Sequence, residues 1–322
     1  MQLKSSSWVP SRWLKFVTVS ATLVAICVPF ESVSAQDRSL AQVQALGLQK
    51  NAAAVDFYHS AGASGRAAKI ASLVAEAREF FKQRLGLDAS VTLAVLNESD
   101  WRKINPQGPY GIPYLSGSPH VVFMPATDDN VITASVQAQE KSAPAALLNA
   151  LRQGGQSYAD WSRTSVELIA LHELGHAYVD RSRVNPGNKW FNEFLASYYA
   201  YSFLAARHPA LAQVWRTSTS SQAAGTAPKH TSINDFERLY DGVGPENYGW
   251  YQALFIHKAA EVHDRHALRF IELVHWSFPK LRAEGDWLEA FLRAQESIDN
   301  TTGRLQAIDA NLASWATAAK GP

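Results

Sequence analysis

The spacing of apolar residues predicts alternating helices and strands in the first part of the chain. From Ala67 to Leu85 apolar side chains recur three and four positions apart, and Gly86 follows. This pattern is typical of a helix that ends at a glycine. The first part is predicted to contain helices at 39–50 and 67–85, strands at 52–59, 91–96 and 121–124, and a loop at 104–119.

From about Pro144 onwards the pattern is mostly helical. The segment 185–188 (NPGN) predicts a turn between the two clearest helices, and the small polar residues of 217–233 predict a mobile loop or lid. The helices of this part are predicted at 165–180, 192–207, 247–262, 266–276, 286–297 and 303–318. The expected fold class is therefore α+β, a small mixed N-terminal sheet with helices followed by a mainly helical half.

The first 35 residues have the pattern of a secretory signal. Lys4, Arg12 and Lys15 precede an apolar stretch at 16–30, and small residues lead up to Ala35. An uncleaved anchor is the alternative, but fifteen residues fall short of the ~20 that a membrane span needs. The sequence thus predicts cleavage after Ala35, a secreted or periplasmic location and no stable membrane association afterwards.

Composition indicates a globular chain without a strongly charged partner. Of the 322 residues 47% are hydrophobic, and 30 Lys and Arg against 29 Asp and Glu leave a net charge of +1, which gives no reason to expect nucleic acid. The one cysteine, Cys27, lies in the predicted leader, so we expect no disulfide after cleavage. The predicted organisation is a signal at 1–35, an α/β part at 36–160, a helical half at 161–280 and C-terminal helices at 281–322.

The sharpest chemical motif is His-Glu-Leu-Gly-His at 172–176. On a helix, His172 and His176 lie one turn apart on the same face, where two imidazoles can bind one metal ion. Glu173 points about 100° round the helix, so it can reach a metal-bound water without being a ligand. The alternative is a core helix with two hydrogen-bonded histidines.

A catalytic zinc site usually needs a third protein ligand. Glu193 is the best candidate, because it is a lone carboxylate in an apolar helix that follows the predicted turn. It could instead be a first-turn glutamate favoured by the helix dipole. Asp180, four residues beyond His176, could accept the second N–H of a ligand histidine or be a surface aspartate that pairs with Arg181 or Arg183.

The motif at 172–176, followed by Asn192-Glu193 in an apolar helix, resembles the gluzincin metallopeptidases, the superfamily of thermolysin and the zinc aminopeptidases. The resemblance implies a zincin-like fold. It also implies one zinc ion bound by His172, His176 and Glu193, with Glu173 as the general base.

In the aminopeptidases of that superfamily a later tyrosine stabilises the oxyanion. By this resemblance Tyr248 is our first choice and Tyr251 the second, although both could be packing residues. The aminopeptidases also carry a Gly-rich segment with a glutamate for the substrate amine, and the Gly-rich stretch 108–118 has no acidic residue. Exopeptidase and endopeptidase cleavage both stay open.

These observations together predict a zinc-dependent metallohydrolase, in first place a peptidase, in which Glu173 activates a zinc-bound water. The expected partner is a peptide or protein substrate, which could pair with the strand at 121–124. Two alternatives remain, a non-catalytic metal-stabilised scaffold and a zinc amidase for a cell-wall or other non-peptide substrate. The oligomeric state and the role of 217–233 are open at this point.

Overall fold

The computed structural model describes residues 38–225, 228–281 and 298–318, and it confirms the α+β fold class. A small five-stranded sheet in the N-terminal part is followed by a mostly helical half. The predicted signal at 1–35 and the predicted helix at 286–297 lie outside the described residues. Among the described residues, no helix has the length and hydropathy needed to cross a bilayer.

The sheet has the strand order β1-β2-β3-β5-β4. The central strands β2, β3 and β5 are parallel, while β1 and β4 pair antiparallel at the two edges. The strands are β1 (Gln49–Asn51), β2 (Phe57–His59), β3 (Thr92–Leu96), β4 (Tyr114–Ser116) and β5 (Val121–Pro125).

Both faces of the sheet are buried, and the alternation along β3 shows how. Leu93 and Val95 belong to the large core shared with the long helices, whereas Ala94 and Leu96 belong to a smaller core on the opposite face. Successive strand residues point to opposite faces, so an uninterrupted apolar run is what a strand covered on both sides requires.

Three of the expected boundaries in this part are wrong, since the strand expected at 52–59 begins only at Phe57. Strand β1 occupies the end of 39–50, where a helix was expected, and β4 lies inside 104–119, where a loop was expected. Both are three-residue edge strands that exist through pairing with a distant neighbour, β2 or β5, and their own sequences carry no strand periodicity.

The strand at 121–124 is not available for pairing with a substrate. It is part of β5, which is hydrogen-bonded to β3 on one side and to β4 on the other. Among the described residues the edge nearest the motif helix is β4, so the expectation of strand addition at 121–124 is wrong.

The helical half is built around one buried helix, α7, in which every residue from Trp190 to Leu204 is buried. It packs against α6, α8 and α10. The helices are α1 (Arg38–Ala45), α2 (Ser64–Leu85), α3 (Glu98–Ile104), α4 (Val131–Ala138), α5 (Ala145–Gln153), α6 (Tyr158–Ser182), α7 (Lys189–Arg207), α8 (Pro209–Ala223), α9 (Ile233–Leu239), α10 (Pro245–His266), α11 (Arg269–Ser277), α12 (Ile298–Gln306) and α13 (Ala310–Thr317), with 3₁₀ turns at Glu140–Ser142 and Tyr240–Gly242.

The predicted loop at 217–233 is wrong for its first part, because α8 continues to Ala223. The hydroxyl of Thr219 donates to Trp215 O at 2.9 Å, and that of Ser221 donates to Thr217 O at 2.8 Å. Hydroxyls that bond back to the preceding turn can be accommodated inside a helix, so a run of serine and threonine does not by itself end one.

Candidate metal centre

Helix α6 carries three of the predicted site residues in its second half. It begins with a capping box, in which the Ser157 side chain accepts the Asp160 N–H and the Asp160 carboxylate accepts the Ser157 N–H. From there the helix runs for 25 residues to Ser182. Helix α6 also packs against the sheet edge at β4, and Glu173 is the site residue that contacts this edge.

Helix α7 approaches α6 closely at Gly175. A Cβ atom built on Gly175 would lie 2.7 Å from the Ala196 Cα atom, so the two backbones are nearly in contact there. Glu193 lies one turn before Ala196 on α7. Because Gly175 has no side chain, α7 can come close enough for the Glu193 carboxylate to approach the two imidazoles.

The three predicted ligands converge on one point. His172 Nε2 lies 3.1 Å from His176 Nε2 and 3.2 Å from Glu193 Oε2, and His176 Nε2 lies 3.6 Å from Glu193 Oε2. Tetrahedral zinc with bonds of about 2.0–2.1 Å separates its ligand atoms by about 3.3–3.4 Å. The donor set fits such an ion, and these residues could hold a metal.

The ring orientation of each histidine is fixed by a second contact. His172 Nδ1 lies 3.2 Å from the Ser197 hydroxyl, which is fully buried, and the Asn192 side chain is hydrogen-bonded to His176. A histidine that donates from Nδ1 keeps its lone pair at Nε2. Two Nε2 atoms 3.1 Å apart then need either a shared proton or a cation between them.

Both carboxylate oxygens of Glu193 accept hydrogen bonds from side chains outside the proposed ligand set. The Tyr240 hydroxyl donates to Oε1 at 2.7 Å, and the Gln252 side-chain amide donates to Oε2 at 2.8 Å. Oε2 is also the oxygen that faces the two histidines. The carboxylate is therefore oriented by groups from the turn after α9 and from α10.

The electrostatics of the site favour a positive charge at the imidazoles. Burial lowers the pKa of His176, but the charge and hydrogen bond of Glu193 and the charge of Glu173 raise it to about 9. Burial likewise opposes ionisation of Glu193, yet His176 and His172 hold its pKa well below the usual value. The ligand set thus stabilises a proton or a metal ion at the same place.

Glu173 lies beside this set and is bound to the sheet edge. The Leu115 backbone N–H on β4 donates to Glu173 Oε2 at 2.9 Å. Burial raises the pKa of this carboxyl, against the lowering effect of His172 and His176. A carboxylate whose pKa is raised by burial binds a proton more readily than a free one, which suits it to act as a base.

The two tyrosine candidates differ in their surroundings. The Tyr251 hydroxyl donates to Ser232 O at 2.7 Å and the side chain is fully buried, so the structure uses it for packing. Tyr248 is half-buried and packs against the rings of Phe236 and Tyr240. An oxyanion role for Tyr248 stays a prediction.

Asp180 is buried and lies 2.9 Å from His120 Nε2, through Oδ2. The other nitrogen of His120, Nδ1, lies 2.9 Å from Gly117 O. The contact with His120 ties the turn between β4 and β5 to α6, two turns beyond Glu173. A surface aspartate was one of the two expectations for Asp180, and the burial contradicts it.

Tyr240, Gln252, Ser197 and the Leu115 N–H are site groups that the sequence did not indicate. Helical spacing gives a partial signal for one of them, since Ser197 lies four residues after Glu193 on the same face of α7. The other three reach the site through tertiary packing of separate elements. Compared with known proteins, this chain matches no family model, no curated protein and no solved structure.

Proposed function

We propose that this chain is a zinc-dependent metallohydrolase that cleaves peptide bonds. The observation that carries the proposal is the convergence of three ligand atoms, from His172, His176 and Glu193, within 3.6 Å of one another. The buried carboxylate of Glu173 beside them supports catalysis over a structural role, because a structural zinc site needs no base next to it.

When bound, zinc would supply Lewis acidity for a carbonyl oxygen and lower the pKa of water to about 7. Glu173 takes the proton of the attacking water and passes it to the leaving amine. We assign this proton to Oε1, since Oε2 accepts the Leu115 N–H. Tyr248 is the proposed donor to the carbonyl oxygen as negative charge develops there.

The position of β4 supports a peptide as the substrate. Its central residue, Leu115, directs its backbone N–H towards Glu173 on α6. A peptide in extended conformation that runs beside β4 would pass next to the proposed base. It would bind through main-chain groups of this edge other than the Leu115 N–H, which Glu173 accepts. The predicted signal at 1–35 would take this activity out of the cytoplasm.

The test is the Glu173→Gln variant. It should retain one zinc ion, because Glu173 is not a ligand, and lose about 10³-fold or more in rate, the contribution of a positioned base and its electrostatics. Zinc is measured by atomic absorption and cleavage with a library of internally quenched peptides.

Glu167→Gln is the matched control. Glu167 is also a buried glutamate of α6, but it pairs with Lys69, away from the ligand set, so its amide variant should keep the wild-type rate. Full activity of Glu173→Gln would overturn the mechanism. A zinc-loaded wild-type chain that cleaves no peptide would overturn the assignment as a peptidase.

A further inference from the structure

Helix α7, which carries Glu193, receives the cap of its first turn from another helix. Its N-cap residue, Asn188, makes no side-chain capping bond, and its amide oxygen accepts a hydrogen bond from Thr301. The Lys189 and Trp190 N–H groups instead donate to the carboxylate of Glu237 on α9, at 3.0 and 3.2 Å. The start of the ligand-bearing helix is therefore defined by a residue nearly fifty positions downstream.

Tyr240, three residues after Glu237, contacts the proposed metal ligand Glu193 directly. The Tyr240 hydroxyl donates to Glu193 Oε1 at 2.7 Å, and Lys189 Nζ lies 4.9 Å from the centroid of the Tyr240 ring. Together, Glu237 and Tyr240 engage α7 at positions 189, 190 and 193, which span a single helical turn.

The segment is anchored by an apolar contact on its other side. Phe236 is fully buried, with ring centroids 4.8 Å from Tyr251 and 5.1 Å from Phe255, both on α10. Since Phe236 faces α10 while its neighbour Glu237 reaches α7, the segment spans the gap between the two helices. We call residues 233–242 the docking segment.

We infer that the docking segment positions the third metal ligand, with Tyr240 and Glu237 as positioning residues, so that metal binding and docking of the segment are coupled. The inference rests on the proposed metal site. The bond from Tyr240 to Oε1 fixes the rotation of the carboxylate and directs Oε2 to the two Nε2 atoms. By linkage, a metal bound at Oε2 stabilises the docked segment by the same factor.

Tyr240→Phe tests the forward direction, because it removes one hydroxyl and keeps the ring beneath Lys189. Zinc affinity, measured by competition with a chromogenic chelator, should fall about 10- to 100-fold, as is usual when the group behind a metal ligand is lost. Tyr198→Phe is the matched control. It removes a hydroxyl on α7, the helix that carries Glu193, and this hydroxyl donates to Ala267 O at 2.6 Å rather than to Glu193. Its zinc affinity should be unchanged.

Hydrogen exchange of the backbone amides, with and without zinc, tests whether bound metal stabilises the docking segment. Zinc should slow exchange in peptides that cover 233–242, and the slowing should be smaller in Tyr240→Phe. Glu237→Ala removes the cap of α7 and should lower zinc affinity by a smaller factor, about fivefold.

The outcomes separate this inference from the proposed function. A wild-type chain that takes up no zinc would overturn both. Zinc uptake by the wild type with equal affinity in Tyr240→Phe and Tyr198→Phe, or exchange in 233–242 that zinc leaves unchanged, would overturn the inference alone. Zinc binding that depends on Tyr240 in a chain that cleaves no peptide would support the inference and contradict the peptidase.

Discussion

Two of the clusters in the described part of the chain that combine histidine with a buried carboxylate can be compared, and their difference indicates which one could hold a metal. The metal cluster is His172, His176 and Glu193. The arginine cluster is Arg265, His266 and Asp309, in which Asp309 Oδ2 lies 2.8 and 2.6 Å from Arg265 Nε and Nη2 and 2.9 Å from His266 Nε2. In the arginine cluster a permanent cation neutralises the carboxylate.

The described partners of the Glu193 carboxylate are two histidines, a tyrosine hydroxyl and an amide. None of these groups carries a permanent positive charge. The two imidazoles also turn their Nε2 atoms towards each other, whereas the single histidine of the arginine cluster turns Nε2 to the carboxylate. Proximity of histidine and carboxylate is therefore common to both clusters. The metal cluster differs in that two imidazole nitrogens and a carboxylate oxygen converge on one point and no guanidinium group neutralises the carboxylate.

The largest effect expected from this comparison is on stability in the presence of zinc. Zinc at about a thousand times its dissociation constant should raise the free energy of unfolding by about 4 kcal/mol. Glu193→Ala should abolish this increase and lower the zinc content. Unfolding by denaturant, with and without zinc, measures the difference.

Asp309→Ala is the control in the other cluster. Loss of this carboxylate leaves Arg265 and His266 unpaired and uncaps α13 at Leu312 N, so stability should fall by about 2 kcal/mol. The increase produced by zinc should remain in full. Unchanged zinc content in Glu193→Ala would remove Glu193 from the ligand set.

The next effect concerns how the two clusters are assembled. The long Arg265 side chain can bridge a gap between elements, but the short ligands of the metal cluster require α6 and α7 to meet at Gly175. Gly175→Ala places a Cβ against the Ala196 backbone and should cost about 1–3 kcal/mol and weaken zinc binding.

Gly303→Ala in α12 provides the comparison for that variant. A Cβ at Gly303 meets nothing within 4 Å, so the same substitution in a helix should be neutral or stabilising by up to about 1 kcal/mol. Thermal unfolding and the chelator competition measure both variants. Equal behaviour of the two glycine variants would show that close packing at Gly175 does not support the site.

The sequence predicted the metal cluster better than it predicted the groups around it. His172 and His176 could be placed together because helix periodicity is local, and Glu193 could be added because an unpaired carboxylate in an apolar helix is costly. Tyr240 and Gln252 contact Glu193 from positions 47 and 59 residues away, because α9 with its following turn and α10 both pack on α7. No local pattern encodes that contact.

The fold shows the same division between local and distant causes. Helix α2 and strand β3 follow from their own periodicity. Strand β4 could not be predicted in that way, because three residues in a Pro- and Gly-rich stretch become a strand only through pairing with β5. The sequence therefore predicted the three side chains that converge and missed the sheet edge that binds Glu173.

The last expected effect is a difference in pH dependence between the clusters. In the metal-free protein the pKa of His176 is raised from about 6.5 to about 9, so its protonated form stabilises the fold fully below pH 6.5, and this contribution is lost as pH rises through 9. Asp309 acts at the acidic end of the pH range. Burial opposes its ionisation, but the Leu312 N–H and Arg265 hold its pKa below the usual value, so its contribution is lost only in acid.

Urea unfolding from pH 6 to 9.5 in the presence of a chelator should therefore show an alkaline loss of stability. Zinc should suppress that loss because the metal replaces the proton, and Glu193→Gln should reduce it because the charge that raises the pKa is gone. An alkaline loss that persists unchanged in Glu193→Gln would place its origin outside the metal cluster.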